Sequence, residues 1–263
     1  AKIEKEKAKY EKEVGKLTQL KDALSKYPDI QNQLQDALDS SNQVVGKDGS
    51  SYDPQKATVD NFVNEIPKII DAINKAKTAA KEAARTNYDR DLAAAKEEST
   101  NTTDPSYEGQ KADFDKKIAK IEKQLQDNLS AAGNEEDKIR EAYEKASAAV
   151  NKAKDDFINS KNSEQAQKNK QYIELANQVD QYLARPELAT GYNDIKKTLT
   201  DVKKITDQTS GVGKQPSLEQ ATKDYNALNT AFENLKTQEQ VRRDKITERN
   251  NKDSQFNIAL ANY

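Results

Sequence analysis

Two neighbouring stretches constrain the fold more than anything else in this chain. Phe114, Ile118, Ile121, Leu125 and Leu129 recur at steps of 4-3-4-4, and Ile139, Tyr143, Ala146, Val150, Ala153 and Phe157 at steps of 4-3-4-3-4. Side chains at that spacing line one face of an α-helix, whereas a strand would need alternation. Between them lies "AAGNEED", with Gly133 placed to end one helix in a left-handed conformation and Asn134 to cap the next. The segment is therefore expected to form an antiparallel helical hairpin. Asp113 with Lys117 and Glu141 with Lys145 stand four apart as supporting pairs.

The same periodicity recurs elsewhere, and period-two strand patterns are nearly absent. Ile3, Tyr10, Val14, Leu17, Leu20 and Leu24 mark a first helix, stopped near Tyr27-Pro28 because a residue before proline avoids the helical region. Ile30, Leu34, Leu38 and Val45 mark a second, ending at "GKDGSS". A third is expected to start with Asp53 as N-cap and Pro54 at the first helical position, with Phe62, Ile66, Ile69 and Ile73 as its stripe. Pro67 falls inside that stripe, where a kink or break is expected. "ESTNTTDPSYEG" reads as a polar linker.

The chain then repeats itself. "KQYIELANQVDQYL" around Tyr172 resembles "AKYEKEVGKLTQL" around Tyr10, and Asp194, Ile195 and Leu199 match Asp29, Ile30 and Leu34. Gly211 and Gly213 stand for Gly46 and Gly49, and Ala221, Thr222 and Asp224 for Ala57, Thr58 and Asp60. Phe256 and Leu260 answer Tyr88 and Leu92. The expected organisation is two copies of a three-helix-bundle unit, residues 1–99 and 162–263, joined by a linker and hairpin at 100–161. The fold class is all-α, an elongated array whose units contact sequence neighbours only.

Composition narrows the chemistry. Of 263 residues, 33% are charged and 34% apolar, which suits thin bundles that bury one stripe per helix. The net charge is -2, with both signs interleaved, and provides no field for nucleic acid or an anionic membrane. No apolar run approaches the roughly 18 residues of a membrane span. Cys and His are absent, so there is no thiol or imidazole nucleophile, no Ser-His-Asp triad and no ordinary zinc or copper site. The acids have lysine neighbours on charged faces, which argues against a paired-carboxylate centre. "GKDGSSYD", with Asp48 and Asp53, lacks the alternate ligands and closing Glu of a calcium loop, since Lys47 stands where an acid belongs. No catalytic, cofactor-binding or metal-binding residue is assigned, and no cofactor is expected.

Eleven tyrosines accompany five phenylalanines. Tyr10, Tyr143, Tyr172 and Tyr225 sit on apolar stripes as core residues, while Tyr52, Tyr107 and Tyr192 fall near loops as candidate exposed contacts. Asn101 and Asn128 match the N-glycosylation pattern. Met is absent, so the chain is expected to be processed or cut from a longer product.

Leu34, Ala37, Leu38, Val45, Ile70, Ala72 and Ile73, with Leu199, Leu228, Ala231 and Leu235 in the second copy, form a pattern that resembles the FIVAR modules of Gram-positive cell-wall-anchored proteins. The resemblance covers roughly 28–99 and 192–263. It implies a secreted or cell-surface stalk or adhesin of helical bundles that contacts host surface, serum or matrix proteins, with no fixed binding motif. The function expected is therefore non-enzymatic, in a monomeric segment with a protein partner. An injected needle-tip-type virulence protein and a bacteriocin receptor-binding coiled coil are the alternatives.

Overall fold

The computed structural model describes residues 1–263 and is an all-α helical bundle, 84% helical. Its helices are α1 (Lys2–Ala23), α2 (Pro28–Val45), α3 (Val59–Asn101), α4 (Glu108–Ala132), α5 (Glu136–Asn162), α6 (Glu164–Leu183), α7 (Asn193–Thr206) and α8 (Leu218–Asn262). Two-residue strands β1 (Lys47–Asp48) and β2 (Ser51–Tyr52) are the only sheet. No helix is long and apolar enough to cross a membrane. The chain divides into two compact units, one of residues 1–96 with 118–152, the other of 97–117 with 153–263. Helices α3, α4 and α5 thus each contribute residues to both.

In the first unit the sequence stripes become the core. Tyr10 and Leu17 of α1, Leu24 just past its end, Leu34 and Val45 of α2, and Phe62 and Ile69 of α3 are fully buried. Each such side chain contributes about 1.5–3 kcal/mol on removal from water. Pro28 occupies the first turn of α2, where its missing N–H costs nothing. Gly46 ends that helix at φ 71°, and a Cβ there would lie 2.8 Å from the Cβ of both Asp53 and Lys56. Only glycine satisfies the backbone angle and the close approach together.

The third helix does not start where the sequence suggested. Asp53 is held in the loop: its N–H donates to the Gly46 carbonyl at 2.8 Å, and its carboxylate accepts from the Gln55 N–H at 2.9 Å. It closes a single turn, and α3 begins six residues later with Thr58 as cap, whose Oγ1 accepts from the Asn61 N–H at 3.2 Å. The intervening "KDGSSY" forms a small hairpin, with Lys47 facing Tyr52 and Asp48 facing Ser51. Gly49 supplies the positive φ of 62° at the first turn position, as a type II′ turn requires. Nor does Pro67 break α3, which runs through it unbroken. The proline removes one backbone bond, to the carbonyl of Val63, and Val63 is exposed.

The hairpin turn lies in this unit. Gly133 adopts φ 59° and its N–H donates to the Leu129 carbonyl at 3.3 Å. Glu135 rather than Asn134 precedes α5, because the turn takes one residue more, closed by Glu135 N–H to the Ala132 carbonyl at 3.1 Å. Tyr88 packs on Tyr143 at 5.9 Å between ring centres, and the Thr78 hydroxyl donates to Glu136 at 2.8 Å, so α3 lies along α5.

In the second unit Tyr172, Val179, Leu188, Ile195, Leu199 and Leu228 are fully buried. Phe114 of α4 stacks on Phe157 of α5 at 4.4 Å, as the two legs of a hairpin must. The expected linker is mostly helix and turn: α3 continues to Asn101, and a short 3₁₀ turn follows at Pro105–Tyr107. Thr102 and Ser106 are buried. The Asp104 carboxylate accepts from the Ser106 N–H (2.9 Å) and hydroxyl (2.7 Å), while Lys161 donates to Thr102 and Glu98. Polar composition here satisfies a bend's backbone groups. Asp113 accepts from Gln215 at 2.7 Å instead of meeting Lys117, and Glu141 meets Arg140 at 3.6 Å instead of Lys145.

Helix α8 starts from Ser217, whose Oγ accepts from the Gln220 N–H at 3.1 Å. The caps of α3 and α8 are therefore Thr58 and Ser217, and Ala57-Thr58 does not correspond to Ala221-Thr222. One pair precedes its helix; the other lies inside its helix.

Candidate functional site

The most concentrated polar chemistry lies at the α6–α7 contact. The fully buried Tyr172 hydroxyl donates to Asp207 Oδ1 at 2.5 Å and lies 2.6 Å from Thr206 Oγ1. Lys203 sits between two acids, 2.7 Å from Asp207 and 3.5 Å from Asp180. The loop beyond α7 is fastened from both sides. Asn169 donates to the carbonyls of Gly211 (3.1 Å) and Lys214 (3.2 Å) and accepts from the Gly211 N–H at 2.8 Å. Asp224, 5% exposed, accepts from the hydroxyls of Thr209 and Ser210 and from Gln220. A shallow cavity of about 250 Å³ borders Tyr172, Asp180, Lys203 and Ser210.

These groups are spent on one another. Burial first, and then the Asp207 carboxylate, push the Tyr172 hydroxyl far above its ordinary range, which keeps it protonated and donating. Tyr10 repeats the device in the first unit: its hydroxyl donates to Asn42 Oδ1 at 2.8 Å, and burial, then Glu65, raise it. Both tyrosines act as locks between successive helices.

A second concave surface lies among α1, α3 and α5, with a volume of about 510 Å³. Leu20 and Ile73 form an apolar floor; Glu13, Lys16, Lys77 and Arg140 stand on the walls. Arg140 is 5% exposed, and its Nε lies 3.0 Å from Glu144 Oε1. Glu144 also draws Lys26 to 3.8 Å, and Tyr27 is pushed up to about 12 by burial and by that carboxylate. Lys77 meets Asp137 at 3.3 Å. Alternating charge over an apolar floor suits a mixed protein surface better than a polyanion. The sequence hid this groove because its residues come from helices far apart in the chain.

No three His, Cys, Asp or Glu residues converge as metal ligands. Tyr52, Tyr107 and Tyr192 are half-buried rather than exposed. Tyr52 donates to Glu11 at 2.9 Å and packs on Phe62, and Tyr107 accepts from Gln167 at 2.9 Å. Asn128 is half-buried within α4, where its side chain accepts from Gln124. Apolar side chains do reach solvent on helix faces: Val63 and Ile70 on α3, and Val241, Ile246, Phe256, Ile258 and Leu260 on α8. No family model, no curated protein and no solved structure matches this chain.

Proposed function

We propose that this chain is a non-enzymatic segment of a secreted, repeat-built surface protein, serving as a stalk or adhesive module that binds host surface, serum or matrix proteins. One observation carries the proposal. The same lock, a buried tyrosine of one helix donating to a side chain at the C-terminal end of the next, occurs in α1–α2 as Tyr10 to Asn42, in the last turn of α2, and in α6–α7 as Tyr172 to Asp207, just past α7. A scaffold used twice serves a function that gains from copies, because linked weak sites raise effective concentration without new contacts. A lone catalytic centre gains little that way. The resemblance of residues 28–99 and 192–263 to FIVAR modules supports the same reading.

Two measurements test it. Antibodies raised against the chain should label intact source cells, and absence of labelling would remove the surface assignment. The immobilised chain should bind at least one purified matrix or serum protein saturably, with Lys16→Glu and Lys77→Glu in the groove weakening it roughly tenfold. A chain that binds none of them retains only the stalk role, and turnover of any substrate would overturn the non-enzymatic assignment.

A further inference from the structure

The second half of α8 bears a face that its first half uses as core. Ala221, Asp224, Leu228, Phe232, Leu235 and Glu239 are buried along α8 as it packs on α6 and α7. At about 100° per residue, Ile246 stands five whole turns beyond Leu228, and Leu260 about seven turns beyond Leu235. They occupy the same face. Leu228 and Leu235 are 0% and 4% exposed, yet Ile246, Phe256 and Leu260 are 52%, 66% and 62% exposed. α3 differs at the comparable distance from its start: there Ala80, Ala84, Tyr88 and Ala95 are buried. A solitary helical segment of this length gains little stability without tertiary packing.

We propose that the Arg242–Leu260 segment of α8 pairs with the same segment of a second copy as an antiparallel two-stranded coiled coil. The spacing of Ile246, Arg249, Asp253, Phe256 and Leu260 after the first residue is 3-4-3-4, a heptad seam. In an antiparallel pair the two kinds of seam position face each other. Ile246 then meets Phe256 of the second copy, and Arg249 meets Asp253 of the second copy, each contact occurring twice about the two-fold axis. A parallel pair would set Arg249 against Arg249 and Asp253 against Asp253, which repel. Within one chain Arg249 and Asp253 are 82% and 68% exposed and 3.9 Å apart, so both are free to exchange partners. A helical hairpin such as the one along α3 fits less well. That contact relies on alanines which let helices approach closely, whereas Phe256 and Leu260 are seam-filling residues. The proposal departs from the monomeric state expected from the sequence.

Sedimentation equilibrium on the full chain tests it. The wild type should show concentration-dependent dimers, and Arg249→Asp and Asp253→Arg should each weaken dimerisation at least roughly tenfold. An equimolar mixture of the two variants should recover the dimer, because each altered charge then meets its opposite. Phe256→Asp should abolish it, and circular dichroism should show all three variants folded. A wild type that stays monomeric at about 100 µM, a weaker association than a stable interface gives, overturns the proposal and leaves the face to another occupant. A dimer indifferent to these charges, or a mixture that fails to recover, overturns the antiparallel seam.

Discussion

The α1–α2–α3 and α6–α7–α8 groups solve one problem with different connections. In each, a tyrosine of the first helix bonds the end of the second, and an apolar stripe of the third fills the space beside both. After α2 the chain folds into a two-residue-turn hairpin that returns Asp53 to the Gly46 carbonyl. After α7 it has no strand, and Asn169 and Asp224 gather the loop by side-chain hydrogen bonds. Helix positions answer to the stripe, while a connection is free to vary provided its buried backbone groups find partners. The buried acids show the same divergence. Glu65 has one cation, Lys68 at 3.1 Å, whereas Asp224 collects three donors.

The largest effects should test whether the two cores are equivalent. Leu34→Ala and Leu199→Ala each remove a fully buried side chain from corresponding helices. Each is expected to cost about 3 kcal/mol in urea unfolding. A cost under about 1 kcal/mol at either position would mean that its core collapses around the gap, and the comparison would fail. Next come the acids. Asp224→Ala strands Thr209, Ser210 and Gln220 and should cost about 2–3 kcal/mol, whereas Glu65→Leu should be nearly neutral. A near-neutral Asp224→Ala would show that the loop does not depend on Asp224.

How much of this was legible follows the same division. Tyr10, Leu34, Ile195 and Leu199 could be placed because burial requires a side chain every three or four residues, and that period is written in the chain. Thr58 could not be recognised as a cap, because Asp53-Pro54 offers the stronger local signal and only the hairpin's hydrogen bonds claim Asp53. The burial of Asp224 and Glu65 is not legible in the sequence, because an acid shows no sign of burial until its partners arrive. Phe256 and Leu260 match the buried Tyr88 and the half-buried Leu92 in sequence yet are exposed, since periodicity marks a face without naming its cover.

Smaller effects sharpen the two locks. Tyr172→Phe loses its bonds to Thr206 and Asp207 and should cost about 1–2 kcal/mol, Tyr10→Phe about 1 kcal/mol. Both hydroxyls are raised above the ordinary 10.0. Their contribution is whole below that pH and declines as alkali ionises the unfolded chain first. Urea midpoints should therefore fall above pH 10, and less steeply in Tyr172→Phe. Last are the caps: Thr58→Ala and Ser217→Ala should each cost about 1 kcal/mol by the same assay. Loss at Ser217 alone would show that the start of α3 is held by its hairpin instead.

The tyrosine locks carry a consequence for the environments this chain can tolerate. Buried hydroxyls such as Tyr10 and Tyr172 titrate later than free ones. At Asp91, burial opposes ionisation, yet bonds from Ser147, Asn151 and Arg90 hold the carboxyl below its usual range, and Asp104 is lowered by the N–H and hydroxyl of Ser106. These two hydroxyls have moved up and these two carboxyls down. Imidazole is the side chain whose ordinary titration lies closest to neutrality, with thiol next, and this chain has neither. Mild acidification should therefore leave the hydrogen bonds of Asp91 and Asp104, and the two tyrosine locks, in place.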